Sequence, residues 1–227
     1  VYKRQGSGMG RYLAVLLAKS GCDVVICDVN EDTLAGTASM LKNYNVAVSS
    51  HLLDVGDEEA IKALPEKVIA QHGKVDLVFN NAGITIDSDF ASMPEPDWDK
   101  VMDVNLHGVI NMTRAFLPYL KDRPEAAVVN TSSIFGMIAV PRQSVYHATK
   151  FAVRGFTESL VKEMKGTSVQ VHCVHPGHIG TNILTSAKVN RAEGESVSSG
   201  LLGRANATHE VLGKAFREHG KHAAPCR

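Results

Sequence analysis

The sequence of 227 residues lacks several features that would place it in other classes of protein. It has no excess of either charge, because 24 Lys and Arg side chains balance 24 Asp and Glu side chains. This balance argues against a surface that binds nucleic acid or an anionic membrane. No apolar run approaches the roughly 20 residues that span a bilayer, and the first residues contain no apolar core of the secretory type. We therefore expect a soluble, cytoplasmic protein.

Cysteine is also scarce, and its four positions include no C-x-x-C pair. Cys22, Cys27 and Cys173 lie beside or within apolar, strand-like runs, where a thiol behaves as a small buried hydrophobe. We expect these cysteines to be reduced and structural. Because internal repeats, low-complexity runs and linkers are not evident, residues 1–227 are interpreted as one domain.

The most informative stretch runs from Ser133 to Lys150 and reads SIFGMIAVPRQSVYHATK. If the segment after Gln143 is helical, Tyr146 and Lys150 lie one above the other on one face. An ammonium close to a phenol favours the phenolate and lowers its pKa, so such a pair can transfer a proton near neutral pH. Ser133 follows an apolar run, and its hydroxyl could hold a substrate oxygen. A Tyr-x-x-x-Lys pair alone also occurs by chance on surface helices.

Several short motifs surround this stretch in a particular order. They are GSGMG at 6–10, Asp28, Asp54-Val55, NNAG at 80–83, Asn105 and PG at 176–177. In order and separation they resemble the short-chain dehydrogenase/reductase family along almost the whole chain. The resemblance implies a single-domain, Rossmann-like α/β fold with a doubly wound parallel sheet. It also implies an NAD(P)-dependent oxidoreductase that interconverts a carbonyl and a secondary alcohol.

The resemblance further implies where the cofactor binds. Glycines lack a Cβ, so they let the backbone approach a pyrophosphate at a helix N-terminus. The family's contacts with adenine, ribose and nicotinamide fall on loops further along the chain. The implied cofactor-binding residues are Gly6, Ser7, Gly8, Met9, Gly10, Asp28, Val29, Asp54, Val55, Asn81, Ala82, Gly83, Tyr146, Lys150, Pro176, Gly177, Ile179 and Thr181.

Asp28 favours NAD(H) over NADP(H). It ends the strand-like run DVVICD, roughly 20 residues after the glycines, where a carboxylate can accept hydrogen bonds from ribose hydroxyls. The same charge would repel a 2′-phosphate, and NADP-preferring members of the family tend to carry a basic residue where Ser7 or Val29 stands here. The alternative role for Asp28, and equally for Asp54, is to cap the helix that follows.

The resemblance assigns catalytic roles to Asn105, Ser133, Tyr146 and Lys150. Ser133 would position the substrate oxygen, and Tyr146 would donate or remove its proton. Lys150 would lower the pKa of the tyrosine and hold the nicotinamide ribose. Asn105, within a long amphipathic helical pattern, would hold a water that links the lysine to solvent. The alternatives are an incidental polar Asn105 and a Ser133 that serves only the turn.

Both ends of the sequence depart from the family pattern. Lys3 and Arg4 stand where the family has Thr-Gly, so we expect that the first strand is lacking and that residues 1–5 are not native. Residues 183–213 correspond to the family's variable substrate lid. We also expect the last strand to be lacking, which would leave about five parallel strands and a gap at the centre of the sheet.

Neither a metal site nor a particular substrate is predicted. His172, His175 and His178 recur every third residue, but in an extended strand this spacing does not put all three on one face. Phe135, Gln143 and His178 are candidate pocket residues, and their neutral character leans towards an uncharged alcohol or ketone.

Two other functions and the assembly remain open at this point. The fold also hosts epimerases and dehydratases that hold a nucleotide tightly. Alternatively, the chain could be a truncated, catalytically weak module that binds the cofactor or a partner. The family resemblance implies a homotetramer or homodimer, assembled through the helices near 99–121 and 146–165.

Overall fold

The computed structural model describes residues 2–3, 8–177, 183 and 187–190, with the backbone alone for residues 2–3. The strands are β1 (Tyr2–Lys3), β2 (Val24–Asp28), β3 (Val48–Leu52), β4 (Leu77–Asn80), β5 (Ile86–Asp87), β6 (Ala126–Thr131), β7 (Val169–Val174) and β8 (Lys188–Val189). The α-helices are α1 (Met9–Lys19), α2 (Glu31–Leu41), α3 (Glu58–His72), α4 (Glu95–Met102), α5 (Gly108–Lys121) and α6 (Ser144–Glu163). Short 3-10 turns cover Phe90–Ser92 and Ile134–Gly136, and a π-helical turn covers Asp103–His107.

Within the described residues, six parallel strands form the main sheet in the order β3-β2-β1-β4-β6-β7. The chain moves outwards in one direction from β1 to β3, and then in the other direction from β4 to β7. This order is that of a doubly wound α/β sheet, in which ligands bind beyond the carboxyl ends of the strands where the direction reverses. The predicted Rossmann-like fold is confirmed.

The predicted gap at the centre of this sheet is wrong. Tyr2 pairs with Ile26 of β2 and with Phe79 of β4, so β1 fills the central position, although over two residues only. So short a strand has no periodicity that a sequence pattern can reveal, and its pairing partners on both sides define it. The predicted lack of the last strand stays a prediction, because the chain after Asn190 lies outside the described residues. The non-native origin of residues 1–5 also stays a prediction, because a structure does not reveal where a sequence came from.

Apolar side chains cover both faces of the sheet. Alternate residues of a strand face opposite sides, and in β2 they join two different clusters. Val24 and Ile26 pack with Ala14 and Leu34 of α1 and α2, whereas Val25 and Cys27 join the larger cluster with α3 and α5. All residues of β2 are therefore buried, as expected for a strand covered by helices on both faces.

Beneath the candidate site, four buried polar side chains link two strands to two helices. Asn80 Nδ2 donates to Thr113 Oγ1 at 3.0 Å and to Asn130 Oδ1 at 2.8 Å. Asn130 Nδ2 in turn donates to Thr157 Oγ1 at 3.0 Å. Because buried polar groups are costly to leave unpaired, these bonds fix β4 and β6 relative to α5 and α6. None of the helices described is both long and apolar enough to cross a membrane.

Candidate active site

Tyr146 and Lys150 lie together on the first turns of α6, as their spacing predicts. Both are buried, and Lys150 Nζ lies 5.6 Å from the centre of the Tyr146 ring. Lys150 Nζ also donates a hydrogen bond of 2.9 Å to the carbonyl oxygen of Thr131, at the end of β6. The lysine therefore faces the carboxyl edge of the sheet.

Ser133 follows β6 and reaches the same place. Its Oγ accepts a hydrogen bond of 3.1 Å from the backbone N–H of Phe135, so it caps the Ile134–Gly136 turn. The Ser133 hydroxyl also lies close enough to the Tyr146 phenol to lower its pKa. A turn role and a role beside the tyrosine are thus compatible, and the structure brings Ser133, Tyr146 and Lys150 together.

Asn105 lies in the π-helical turn that joins α4 to α5 without a break, so the long helix that the amphipathic pattern predicts is present and contains this turn. It is fully buried, and its Oδ1 accepts from the N–H of Ile84 at 2.8 Å. Its Nδ2 donates to the Ile84 carbonyl at 2.9 Å and to Thr149 Oγ1 at 3.3 Å. Such π turns are frequent at functional sites. Here the turn directs an amide against the loop after β4 and against α6.

Gly83 separates Asn105 from Lys150. A Cβ at Gly83 would lie 3.4 Å from Lys150 Nζ and 3.5 Å from Asn105 Oδ1. Both polar atoms therefore border the same small space, which a larger residue at this position would fill. The predicted catalytic residues Asn105, Ser133, Tyr146 and Lys150 converge on one region.

Burial reverses the predicted direction of the tyrosine pKa. The sequence predicts that Lys150 lowers it, but burial raises the pKa of the Tyr146 phenol, and the nearby Ser133 hydroxyl opposes this rise only in part. Burial also lowers the pKa of Lys150 to about 8, with Cys173 acting in the opposite direction. In a site closed off from water, desolvation disfavours both the phenolate and the ammonium.

Gly8 and Gly10 of the GSGMG motif lie at the start of α1, beside the point where the order of the strands in the sheet reverses direction. Gly8 has φ 66°, a left-handed conformation that side chains rarely adopt, and it directly precedes Met9 at the start of the helix. Gly10 is buried. A helix N-terminus with small residues suits a phosphate, because its backbone N–H groups point outwards. Gly6 and Ser7 lie outside the described residues.

Two predicted acidic residues lie at the ends of β2 and β3, and neither caps a helix. Asn30 caps α2 by accepting from Thr33, and Asp57 caps α3 by accepting from Ala60. The capping alternatives for Asp28 and Asp54 are therefore wrong. The side chain of Asp28 is buried and accepts a hydrogen bond of 3.0 Å from the Asn30 N–H.

Asp54 and its neighbours differ in exposure. Asp54 is exposed, and its Oδ1 accepts a hydrogen bond of 2.8 Å from the N–H of Gly56. Val55 is buried, whereas Val29, after β2, is 52% exposed. The predicted adenine-side residues therefore lie at the carboxyl ends of β2 and β3, next to the start of α1.

The remaining predicted cofactor residues follow β4 and β7. Asn81, Ala82 and Gly83 form the loop after β4. Pro176 and Gly177 follow β7, and the Pro176 carbonyl accepts a hydrogen bond of 3.0 Å from Ile134 N–H, beside Ser133. The predicted residues Ile179 and Thr181 lie outside the described part of the chain.

The described residues include no group of three His, Cys, Asp or Glu side chains placed to share a metal ion. Of the candidate pocket residues, Phe135 packs edge-on against Tyr146, with the ring centres 6.2 Å apart. Gln143 does not line a pocket: it is 1% exposed and is hydrogen-bonded to Thr85 Oγ1 and to the Ile86 carbonyl. His178 lies outside the described residues.

Sequence reasoning missed His147, the residue after Tyr146. Its Nε2 accepts a hydrogen bond of 2.9 Å from the Val140 N–H, which assigns the ring proton to Nδ1. Nδ1 then donates to the Phe135 carbonyl at 2.9 Å. His147 therefore holds the loop that follows Ser133 against α6. A single His in a helical pattern carries no signal that could have revealed this role.

Comparisons with known proteins identify the family. A family model described as short chain dehydrogenase matches residues 5–192. The SadH protein of Mycobacterium tuberculosis (strain ATCC 25618 / H37Rv) is 41% identical over 206 residues, which cover 90% of this chain and 75% of SadH. The chain belongs to the short-chain dehydrogenase/reductase family, a family of oxidoreductases.

Solved structures of the same family resemble the chain closely. A short-chain dehydrogenase/reductase of Burkholderia phymatum in complex with NAD has a TM-score of 0.82 at 28% identity, over 96% of this chain and 84% of that one. A metagenomic short-chain oxidoreductase in complex with NADP has a TM-score of 0.74 at 27% identity, over 78% of this chain and 81% of that one. Similar structures thus hold either nucleotide.

Gly136 should not tolerate even one methyl group. A Cβ there would contact Ser132 Oγ and would lie 2.8 Å from the backbone oxygen of Lys150, which cannot move without moving α6. We expect Gly136→Ala to displace Ser133 from Tyr146 and to lower turnover at least about tenfold in steady-state assays, because small displacements of reacting groups are costly.

The matched control for this substitution is Gly36→Ala. A Cβ at Gly36, on α2, would lie 3.8 Å from Arg11 Nη2, an ordinary van der Waals distance. The control should keep full turnover and gain about 0.5–1 kcal/mol in free energy of unfolding, because Ala favours a helix over Gly. Equal turnover in the two variants would contradict the close packing at Gly136.

Removing the buried Lys150 ammonium should stabilise the fold. With a folded pKa of about 8 and an unfolded value near 10.4, the buried charge costs about 3 kcal/mol well below pH 8. Allowing about 1 kcal/mol for the lost hydrogen bond to Thr131, Lys150→Met should raise the melting temperature at pH 7 by about 4–8 °C.

The pH dependence checks this interpretation. Between the two pKa values the folded state has released a proton that the unfolded state retains, so wild-type stability rises with pH there. The advantage of Lys150→Met should therefore shrink from pH 8 towards pH 10 in thermal melts. A variant that is less stable than wild type at pH 7 would show that the ammonium is not penalised by burial.

Proposed function

We propose that the chain is an NAD(P)-dependent oxidoreductase that transfers a hydride between the nicotinamide and a carbonyl or secondary alcohol, with Tyr146 as general acid and base. The observation that carries this proposal is the placement of Lys150 Nζ 5.6 Å from the centre of the Tyr146 ring, with Ser133 beside the phenol. The three side chains meet at the carboxyl edge of the sheet, where this fold binds dinucleotides.

The residues at this edge fit a dinucleotide. Gly8 presents no side chain at the start of α1, and Asp28 places a carboxylate at the end of β2. When bound, the nicotinamide accepts or supplies the hydride. The α1 N-terminus would hold the pyrophosphate, and Asp28 would accept hydrogen bonds from the adenosine ribose.

The chain's own residues would supply orientation and proton transfer. Ser133 would hold the substrate oxygen, and Tyr146 would take the hydroxyl proton during oxidation and return it during reduction. Lys150 would hold the nicotinamide ribose and stabilise the tyrosinate. Asn105, whose Oδ1 borders the same space as Lys150 Nζ beside Gly83, would hold a water that passes the proton to solvent.

The raised pKa of Tyr146 means that the phenol needs a nearby positive charge before it can act as a base. Burial favours the neutral phenol in the described chain, so proton abstraction needs an added positive charge near the ring. The oxidised nicotinamide carries such a charge, and Lys150 supplies another when it is protonated.

Tyr146→Phe tests the acid–base role. Loss of general acid–base catalysis costs 10² or more in rate, so turnover should fall at least about a hundredfold while NADH affinity stays within a few-fold. Tyr119→Phe on α5 is the matched control and should retain wild-type turnover. A Tyr146→Phe enzyme that keeps more than about a tenth of the wild-type rate would refute the role.

We further propose that NAD is preferred over NADP, because the Asp28 carboxylate would repel a 2′-phosphate. Thermal melts test this, since a ligand at a hundred times its Kd adds about 2.7 kcal/mol of stability. NADH should raise the melting temperature and NADPH should have little effect at equal concentration. Asp28→Asn should reduce the difference between the melting-temperature shifts that NADH and NADPH produce. Asp32→Asn, the same change at an exposed position of α2, should leave that difference unchanged.

These melts also separate the enzyme from a weak binding module. A shift with NADH together with NADH production from a secondary alcohol supports the enzyme. A shift without turnover of any alcohol or ketone would instead favour a cofactor-binding module. No shift with either nucleotide would contradict the cofactor site itself.

The assembly and cellular context stay proposals. We propose that residues 1–227 form one domain, that residues 183–213 contribute a substrate lid, and that the protein works in the cytoplasm as a homodimer or homotetramer. Phe151 and Val161 on α6 are each 43% exposed, which supports an interface on that helix. Light scattering that detects only a monomer would contradict the assembly.

A further inference from the structure

Arg142 is a buried cation that lies outside the residues described so far. Its Nε donates to Asp87 Oδ1 at 2.7 Å, and its Nη1 donates to Asp89 Oδ2 at 2.6 Å. Its Nη2 donates to the backbone carbonyl of Asn190 at 2.9 Å. The side chains of Arg142 and Asp87 are 5% and 0% exposed. One guanidinium therefore joins three separate parts of the chain.

The backbone of Arg142 is also unusual. Among the described residues other than glycine, Arg142 alone has a positive φ, which is 67°. This conformation is uncommon for residues with a side chain. Such a conformation persists only where surrounding contacts impose it, and it often marks a functional position. Here the turn directs the guanidinium inwards immediately before α6 begins.

The segment that Arg142 reaches, residues 188–190, also pairs with β5. Lys188 and Val189 of β8 pair with Ile86 and Asp87 of β5, and the N–H of Asn190 donates to the Asp87 carbonyl at 2.9 Å.

The carboxylate of Asp97, on α4, holds the same segment from the protein surface. It accepts hydrogen bonds from Lys188 Nζ at 2.6 Å and from Asn190 Nδ2 at 2.8 Å. Residues 188–190 thus depend on Arg142 through a buried contact and on Asp97 through a surface contact.

Both attachment points of this segment lie close to the candidate active site. Arg142 stands four residues before Tyr146, and its carbonyl accepts a hydrogen bond of 3.1 Å from Ser88 N–H. β5 follows the loop that carries Gly83, beside Lys150 and Asn105. A shift of β5 and β8 relative to α6 would therefore change the boundary of the space around Tyr146.

We propose that Arg142 is a positioning residue that fixes residues 188–190 against β5 and against the start of α6, and so determines how the substrate is held. This inference rests on the proposed function. Arg142 contacts no reacting atom, and its effect acts through the placement of β5 and β8. It should therefore influence substrate binding much more than cofactor binding.

Arg142→Lys is the decisive variant. Lys keeps the positive charge beside the buried Asp87, so the carboxylate is not left without a counter-charge. It lacks the planar fork of arginine, however, and a single ammonium cannot reproduce three separated contacts. Arg123→Lys is the matched control, because Arg123 Nε pairs with Asp76 Oδ1 at 2.6 Å just before β4 begins, at the opposite end of that strand.

Steady-state kinetics would use NAD and the best substrate from a panel of 2-butanol, cyclohexanol and 1-phenylethanol. For Arg142→Lys we expect KM for the alcohol to rise at least tenfold, kcat to stay within threefold, and NADH affinity to stay within twofold. Arg123→Lys should match wild type in all three. An unchanged KM, or a fall confined to kcat, would overturn the proposal.

Hydrogen exchange supplies a readout that needs no turnover. Amides in peptides covering 187–190 and 86–89 should exchange at least tenfold faster in Arg142→Lys than in wild type or Arg123→Lys, and unchanged exchange would overturn the proposal. If the wild type turns over no alcohol or ketone, the proposed function fails, and exchange alone still decides whether Arg142 holds residues 188–190 in place.

A second variant covers the case in which Arg142→Lys does not melt cooperatively. Asp97→Ala removes the surface contacts of Lys188 and Asn190 and leaves the buried pair intact. It should raise KM for the alcohol about threefold to tenfold and accelerate exchange over 187–190. Wild-type values for both measurements would overturn the proposal.

Discussion

The Lys150 side chain is the constraint on which the candidate site depends. Its ammonium is buried, and burying a charge is costly unless polar groups surround it. Lys150 Nζ donates to the Thr131 carbonyl, while Ser132 Oγ donates to the Lys150 carbonyl. The end of β6 is therefore joined to α6 at both the side chain and the backbone of this residue, and Gly136 and Gly83 must stay small to allow it.

This burial explains why the tyrosine behaves differently from a simple tyrosine–lysine pair. The same loss of water that lowers the pKa of Lys150 raises that of Tyr146, because both charged forms are disfavoured. Burial therefore favours the neutral phenol. A positively charged ligand would lower the pKa of Tyr146, which is the direction that proton abstraction requires.

Several helices and strands could be predicted because they are long and periodic. α6 and β2 are examples, since the spacing of Tyr146 and Lys150 and the run DVVICD are visible locally. The π turn at Asn105 could not be predicted, because the residue types of Asp103–His107 do not distinguish a π turn from an α-helical turn. β1 escaped for a related reason: two residues carry no pattern, and their strand geometry is set by Ile26 and Phe79 on either side.

The sequence by itself determined the family, the parallel α/β fold and the identities of the residues that converge, because the order and spacing of these residues can be read directly from the chain. Tertiary structure decided what those residues experience. The cap before α2 belongs to Asn30 rather than Asp28, and Gln143 is buried against β5 rather than exposed to a pocket. The direction of the tyrosine pKa depends on desolvation, and the contacts of Arg142 join residues that are 48 or more positions apart. Such contacts between distant residues have no signature in local sequence.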